Sequence, residues 1–391
     1  MPVLARIRQE LAATRPLAGL NVTACMHVTP ETASLARTLT AAGASLGLAA
    51  ANPLSTQDDV AAALVVEHGV GVQARHGAGR ELYARHLAAT LELRPQLLLD
   101  DGCDLVTLLH ERRTDLLAGV RGGLEETATG VLRLRRMAAD RALRVPMVAV
   151  NDTAVQLLVA NRHGTGQSTL DAVMRATGTL LAGSTVVVAG YGWCGAGIAD
   201  RARGLGASVV VTEVEPGRAL AAVLEGHRVL PMTAAAAIAD VVITATGNRD
   251  VLHRSHFDLL KDGVVLANAG HFDVEINVVG LAAAAVDVRR RVRPHVDEYV
   301  LAGGRRVLLL SEGRVVNLSA AEGHPPAVMD VSFAVQALTL VWLAGQQLPV
   351  GVHQVPPEID RQVASTRLAA VGVVLDTLSP DQQRYLSSWR P

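Results

Sequence analysis

Five stretches of the chain place imidazoles and carboxylates where acid–base chemistry could use them. His27 lies in Cys25-Met-His-Val-Thr-Pro-Glu31, and Asp100-Asp101-Gly-Cys-Asp104 follows an apolar run. Glu125-Glu126-Thr127-Ala-Thr129-Gly130 pairs two acids with two hydroxyls. Asn268-Ala-Gly-His271-Phe-Asp273-Val-Glu275 and Glu322-Gly-His324-Pro325 complete the set. A histidine or carboxylate held against a reacting group can take or give a proton near neutral pH. These polar clusters repeatedly follow runs that read as strands, and α/β sites form at the carboxyl ends of strands. No G-x-S-x-G elbow and no Ser-His-Asp order is present, which argues against a serine hydrolase. Cys25, Cys103 and Cys194 are far apart and lack C-x-x-C spacing, so neither a disulfide framework nor a cysteine metal site is expected. The histidines and acids show no close ligand spacing either, and no metal is expected.

A second kind of chemistry is written in Val186-Val-Val-Ala-Gly190-Tyr-Gly192-Trp-Cys-Gly195. This is G-x-G-x-x-G directly after a strand pattern and opening a helix pattern, the context that gives the motif its meaning. Gly190 permits the tight turn, Gly192 lets the backbone approach a pyrophosphate, and Gly195 lets helix and strand pack closely. The phosphates would then sit on the helix N-terminus. The next strand ends at Glu213, where a carboxylate can accept from both ribose hydroxyls and repel a 2′-phosphate, so NAD is expected rather than NADP.

The elements that must position these groups alternate strand and helix. Strands are predicted at 19–24, 44–50, 96–100 and 145–150, with helices at 32–42 and 58–67 between the earlier ones. Arg162-His-Gly-Thr-Gly-Gln-Ser168 reads as a polar, glycine-rich hinge. Beyond it come strands at 185–189, 208–212, 241–244 and 264–267, a hairpin turning at Gly303-Gly304, and helices at 329–343 and 358–371. The class is α/β with two Rossmann-like, doubly wound domains and a short C-terminal tail. The expected division is a substrate-binding domain at 1–161, completed by about 325–372, an NAD-binding domain at 167–322, and an oligomerisation tail at 373–391.

Composition narrows the classes further. With 391 residues, two domains are the natural count. The net charge of −1 gives no electrostatic case for nucleic acid or an anionic membrane. The N-terminus lacks a signal-peptide pattern and no uncharged apolar span reads as a membrane helix, so a cytoplasmic protein is expected. Lysine occurs once, at Lys261, against 35 arginines. Any step needing an amine therefore has a single candidate.

Together the motifs HVTPETA, STQDD, LDDGCDLVTLLH, EETATGV, NRHGTGQST, VVAGYGWCGAGIA, NAGHFDVEI, GRVVNL and GHPPAVMD resemble the S-adenosylhomocysteine hydrolase family along nearly the whole chain. The ending resembles the family's archaeal-type branch, and the chain reads as a diverged paralogue. The resemblance implies a tightly held NAD⁺, a homotetramer and an adenine nucleoside substrate. The family oxidises the nucleoside 3′-hydroxyl, removes the acidified 4′-proton, expels the 5′-thiol, adds water and returns the hydride. By this resemblance Thr29 and Glu31 would bind adenine, with His324 and Met329 closing that pocket. Glu126 and Thr127 would face ribose and nicotinamide, while His27, Asp101 and His271 would manage protons at the 4′ and 5′ positions. Thr127, Thr129, Glu213, Asn248 and Asn317 would contact NAD alongside the three glycines. Asn161 keeps its place among the catalytic positions, whereas the family's middle threonine of EETATG is Ala128 here. His163 stands in place of a tyrosine.

Two departures are larger. The family pattern has lysine where Gln156 stands and aspartate where Ala160 stands. An amide cannot take a proton near pH 7, and losing a positioned base typically costs about 10²–10⁴ in rate. Glu126, His27 or a water held by Gln156 could substitute. Three readings follow. The first is redirected chemistry on a modified or bulkier sugar, most specifically a nucleoside 4′,5′-dehydratase of nucleoside-antibiotic type. The second is a true hydrolase with a rearranged base, and the third a non-catalytic NAD- and nucleoside-binding paralogue.

Overall fold

A computed structural model describes residues 1–389; the last two residues of the expected 373–391 tail lie outside the described residues. Two sheets organise the chain. The first has seven strands, in the order Gly351–Gln354, Pro146–Ala149, Gly122–Glu125, Leu97–Asp100, Asn21–Met26, Ser45–Ala50 and Gly71–Gln73. Every pairing in it is parallel. Both faces must then be covered. The helices Pro2–Thr14, Pro30–Ala41 and Pro326–Ala344 pack on one face, and Arg80–Leu91 and Asp104–Arg112 on the other.

Pro326–Ala344 is long and apolar enough to cross a membrane, but 61% of its window is buried within this core. Its buried Asp330 accepts from the N–H groups of Val3 and Leu4 at 3.1 and 2.8 Å. A carboxylate on a helix N-terminus is favoured by both the orphan N–H groups and the helix dipole. This contact pins the two helices together across almost the whole chain.

The second sheet has eight strands. Thr185–Ala189, Ser208–Thr212 and Arg228–Val229 run outward on one side, and Val241–Thr244, Val264–Asn268 and Arg306–Leu310 on the other. That is the doubly wound dinucleotide order, with its switch point between Thr185–Ala189 and Val241–Thr244. Val296–Leu301 and Ala285–Arg293 extend it in antiparallel fashion. The hairpin turns through Gly303 and Gly304, both at φ 82°, as the Gly-Gly pair predicts. In the first sheet the order reverses between Asn21–Met26 and Leu97–Asp100. His27 and Asp101 follow those two strands directly, at the position where open α/β sheets place their ligands.

The predicted polar hinge is different in kind. The chain is helical across it, with a π-type stretch at Gln156–Gly164 running into an α-helix at Thr165–Thr177. Its glycines serve packing, not turning. A Cβ on Gly166 would lie 2.5 Å from the Gly197 carbonyl oxygen, and one on Gly197 would lie 1.9 Å from that of Arg162. The crossing helix thus rests on the helix Trp193–Gly204 at backbone distance. In an exposed helix Gly→Ala stabilises by about 1 kcal/mol. Gly197→Ala is expected to reverse that sign and destabilise by about 1–3 kcal/mol through overpacking, read as a lowered denaturation midpoint.

Candidate functional site

Between the two sheets lies a cavity of about 490 Å³. His27, Thr29, Glu31, Asp101, Glu126, Thr127, Thr129, Gln156, Asn161, Gly192, His271, Asn317, His324 and Met329 all line it. Fourteen positions scattered from 27 to 329 are thereby brought together. Gly190, Gly195, Glu213 and Asn248 do not reach the wall. Gly190 sits at φ 95° beneath the turn, and a Cβ on Gly195 would strike the Gly190 carbonyl oxygen at 1.9 Å. The Glu213 carboxylate accepts from the N–H groups of Tyr191, Val214 and Glu215 at 2.7, 2.6 and 3.0 Å. Asn248 is exposed and its side-chain oxygen accepts from the Arg249 N–H.

One end of the cavity is an acid–base cluster. His27 Nε2 is 3.5 Å from Asp101 Oδ2, and His271 Nδ1 is 3.8 Å from Asp101 Oδ1. The other His27 nitrogen, Nδ1, is 2.6 Å from the Ser55 hydroxyl. Burial, then the neighbouring His271 and His324, lowers the His27 pKa to about 3. Burial likewise holds His271 and His324 at about 4. Asp101 moves the other way, pushed well up by burial and then by the charge of Glu126. The distances alone suggest ion pairs, but both partners are driven toward their neutral forms. The imidazoles are thus favoured in their neutral forms, and the Asp101 carboxyl takes up a proton more readily than an ordinary carboxylate does.

Each of these groups is fixed by its loop. His271 belongs to the second sheet yet packs onto Gly102 of the first, where a Cβ would lie 2.3 Å from its Nε2. Asn268 holds the His271 loop by donating to the carbonyls of Gly270, Phe272 and Gly313 and accepting from Gly270 N–H and Thr244 O–H. Glu275 accepts from Thr246 N–H, Thr246 O–H and Gly247 N–H, shaping the facing loop. The acid pair 125–126 divides its labour. Glu125 is wholly buried and accepts from Gly102 N–H and from both Thr127 donors. Glu126 faces the cavity. The Thr127 hydroxyl also caps its own helix, accepting from Gly130 N–H at 2.9 Å.

Amides line another part of the same wall. Gln156 Nε2 donates to Glu126 Oε1 at 3.5 Å, and Asn161 donates to Asn151 at 2.9 Å. In a π-type turn the hydrogen bond runs from i to i+5, so Gln156 and Asn161 stack on one side of the crossing helix. Ala160 is fully buried and does not line the cavity. The space its small side chain leaves is therefore not part of the cavity wall. Ser332 and Gln336, which also grip Glu126, were not among the expected residues. Two polar residues four apart on one face of an apolar helix were the available signal. Arg218, Trp193, Cys194, Thr246 and Phe333 also join the wall unanticipated.

A dinucleotide fits the residues of the second sheet. The Gly190 turn and the N-terminus of Trp193–Gly204 give N–H groups a phosphate can use. Asn317 donates to Ser168, leaving its buried Oδ1 without a partner on the cavity wall. An orphan acceptor of that kind suits an amide N–H donor such as a carboxamide.

The fold and the cavity define a two-sheet, NAD-binding α/β enzyme. A solved structure of a dipicolinate synthase subunit from Bacillus halodurans shares the fold, with a TM-score of 0.50 and 13% identity, over 85% of this chain and 100% of that one. Sequence comparison is more specific. Residues 1–115 match the model of S-adenosyl-L-homocysteine hydrolase, and 161–323 match that family's NAD-binding domain. All 391 residues align with the adenosylhomocysteinase of Gloeobacter violaceus at 54% identity, covering 91% of it. The adenosylhomocysteinase of Aquifex aeolicus is 51% identical over the whole chain and 93% of its own length. The S-inosyl-L-homocysteine hydrolase of Methanosarcina mazei is 49% identical over 389 residues and 94% of its length. The chain belongs to the S-adenosyl-L-homocysteine hydrolase family and is an NAD-dependent enzyme of it. These relatives are hydrolases by name, so the 4′,5′-dehydratase expectation gains no support and the hydrolase alternative fits better. Asn317→Leu, which removes the unpaired acceptor, is expected to weaken NAD binding by about tenfold or more, measured by the NAD retained after dialysis.

Proposed function

We propose that this chain hydrolyses the thioether of a purine nucleosyl homocysteine, the adenosyl form in preference to the inosyl. The observation that carries this is the pairing, in one cavity beside the nucleotide loop, of the His27–Asp101–His271 cluster with the Glu126–Gln156–Asn161 face. NAD⁺, when bound, takes up the hydride from the sugar carbon and later returns it. The protein's own groups do the rest. With a ketone at C3′ the neighbouring C4′–H is acidic, and the Asp101–histidine cluster takes that proton. The C5′–S bond breaks as the C4′–C5′ double bond forms, and a proton from the same cluster neutralises the departing thiolate. Water then adds at C5′, a proton returns to C4′, and one nucleoside and one homocysteine result. Burial of the cluster keeps water away from its protons until they are needed.

The base preference follows from Glu31 on the same wall. Carboxylate oxygens accept hydrogen bonds. Adenine offers an amino donor where hypoxanthine offers a carbonyl acceptor, so Glu31 favours the aminopurine. Exposed Leu378, Tyr385 and Leu386 at the C-terminal tail support self-association, in keeping with a homotetramer.

Free homocysteine released from S-adenosylhomocysteine at enzymatic rates is the expected result, with slower release from the inosyl thioether. Equal rates would remove the Glu31 argument, and no release from either would remove the function. Asp101→Asn is expected to slow C4′-proton exchange with deuterated water by about 10²–10⁴, measured by mass spectrometry of the nucleoside. Nicotinamide reduction should persist in that variant.

A further inference from the structure

On the hydrolase reading, catalysis starts with removal of a hydroxyl proton from the sugar, and the chain's single lysine cannot perform it. Lys261 Nζ is bound to Asp240 at 2.9 Å and lies off the cavity wall. Arg218 is the sole arginine on that wall among the described residues, and a guanidinium does not accept protons. His27, Asp101 and His271 are engaged with one another. His324 Nε2 is 3.1 Å from the Thr165 hydroxyl. Of the other carboxylates on the wall, Glu322 is paired with Arg175 and Glu31 sits beside the Thr29 cap, which leaves Glu126, the one hydrogen-bonded to Gln156.

The carboxylate of Glu126 is oriented but not neutralised. Ser332 O–H donates to Oε1 at 2.9 Å, Gln156 N–H donates to the same oxygen at 3.5 Å, and Gln336 donates to Oε2. All three donors are uncharged. A carboxylate has about four acceptor sites, so one remains for a ligand. Because Gln156 commits its amino group to Glu126, its Oε1 points elsewhere. That oxygen is buried, with the residue 4% exposed, and has no partner. An ionisable acceptor on the wall thus neighbours a side chain whose own acceptor is unpartnered, a pair suited to two adjacent hydroxyls.

The geometry points to Glu126 as the acceptor of the 3′-hydroxyl proton, with Gln156 as its positioning residue and, through Oε1, the acceptor for the neighbouring hydroxyl. The step balances with the cofactor the family uses. The O–H bond breaks and its proton forms a bond to a Glu126 oxygen. The C3′–H bond breaks with its electron pair, which reduces NAD⁺, and C3′–O becomes a ketone. Returning the hydride takes the same proton back from Glu126. Burial raises Glu126 above the ordinary carboxylate range, and the bonds from Ser332, Gln336 and Gln156 work against that rise. The charged or titratable groups that face it are Asp101, which feels its charge, and the neutral imidazoles beyond.

The test rests on the hydrolase reading but fails separately from it. Nicotinamide absorbance is followed in a single turnover after mixing NAD⁺-loaded protein with adenosine across pH. The wild type should show an acid limb above the ordinary glutamate value of about 4.3. Glu126→Gln should lose that limb and about 10²–10⁴ in rate. Gln156→Leu, by removing a donor that favours the charged form, should move the limb to higher pH, and Gln156→Lys should move it lower. Calorimetry supplies a readout without turnover. Binding of 3′-deoxyadenosine should be about tenfold weaker than adenosine in the wild type and equal in Glu126→Gln, while 2′-deoxyadenosine should lose its deficit in Gln156→Leu. A limb that stays in Glu126→Gln, or that ignores both Gln156 variants, overturns the assignment. Should Glu126→Gln fail to fold, the two Gln156 variants decide. Homocysteine release by the wild type with none of these shifts rejects Glu126 alone. A wild type that neither reduces nicotinamide nor releases homocysteine rejects the function and the assignment together.

Discussion

The whole site depends on one steric contact, the backbone approach between Gly197 and Arg162 where the crossing helix meets the nucleotide helix. That contact requires glycine because no side chain fits between a helix and a carbonyl oxygen at such a distance. It holds Gln156–Thr177, which leaves the first sheet, against Trp193–Gly204, which opens the nucleotide turn of the second. The switch points of both sheets then face one space. Arg162 adds ion pairs to Asp200 and Glu225 at 2.6 and 3.4 Å. They are partly exposed, and such pairs are typically worth about 0–1 kcal/mol. Shape at the glycines, more than charge, sets how the two halves meet.

Much of this was legible in the sequence because backbone requirements leave plain marks. The G-x-G-x-x-G turn, the Gly-Gly hairpin and polar residues ending apolar runs each reflect a local constraint, and each falls where expected. The linker did not. Arg162 to Ser168 carries the composition of a loop, but Gly164 lets the Val328 and His324 side chains come close and Gly166 the Gly197 backbone, a use that local composition cannot distinguish from turning. The strand Gly122–Glu125 hides for a similar reason. Its two glycines are poor strand formers, yet Cβ atoms there would meet Pro146 O and Leu98 Cβ at 2.9 and 2.8 Å. The roles of neighbouring acids were also hidden. Nothing local separates Glu125, which ties the Gly102 and Thr127 loops, from Glu126, which faces the cavity.

The two departures from the family pattern acquire different meanings in three dimensions. Ala160 is sealed within the helix packing and adds no room to the cavity. Gln156 stays on the wall and keeps a hydrogen bond to Glu126. Losing a cation and an anion from one neighbourhood leaves its net charge unaltered, which spares the remaining carboxylate the cost of an uncompensated change. On the proposed hydrolase reading, these two changes leave a site of the family's kind that works with fewer charges.

Fewer charges change how protons are held. A lysine would stabilise a carboxylate beside it, whereas here burial raises Glu126 and Asp101 together, and the charge of Glu126 raises Asp101 further. Two carboxylates coupled in that way do not ionise independently; the second proton is harder to remove than the first. Each therefore takes up a proton more readily while the other is ionised. Proton removal at the sugar hydroxyl and proton removal at C4′ are successive demands on bases of that kind, and each group gives its proton back later in the cycle, so each acts first as base and then as acid. On that account the neutral histidines near Asp101 are part of the arrangement, since a protonated imidazole there would stabilise the carboxylate and make it a poorer base.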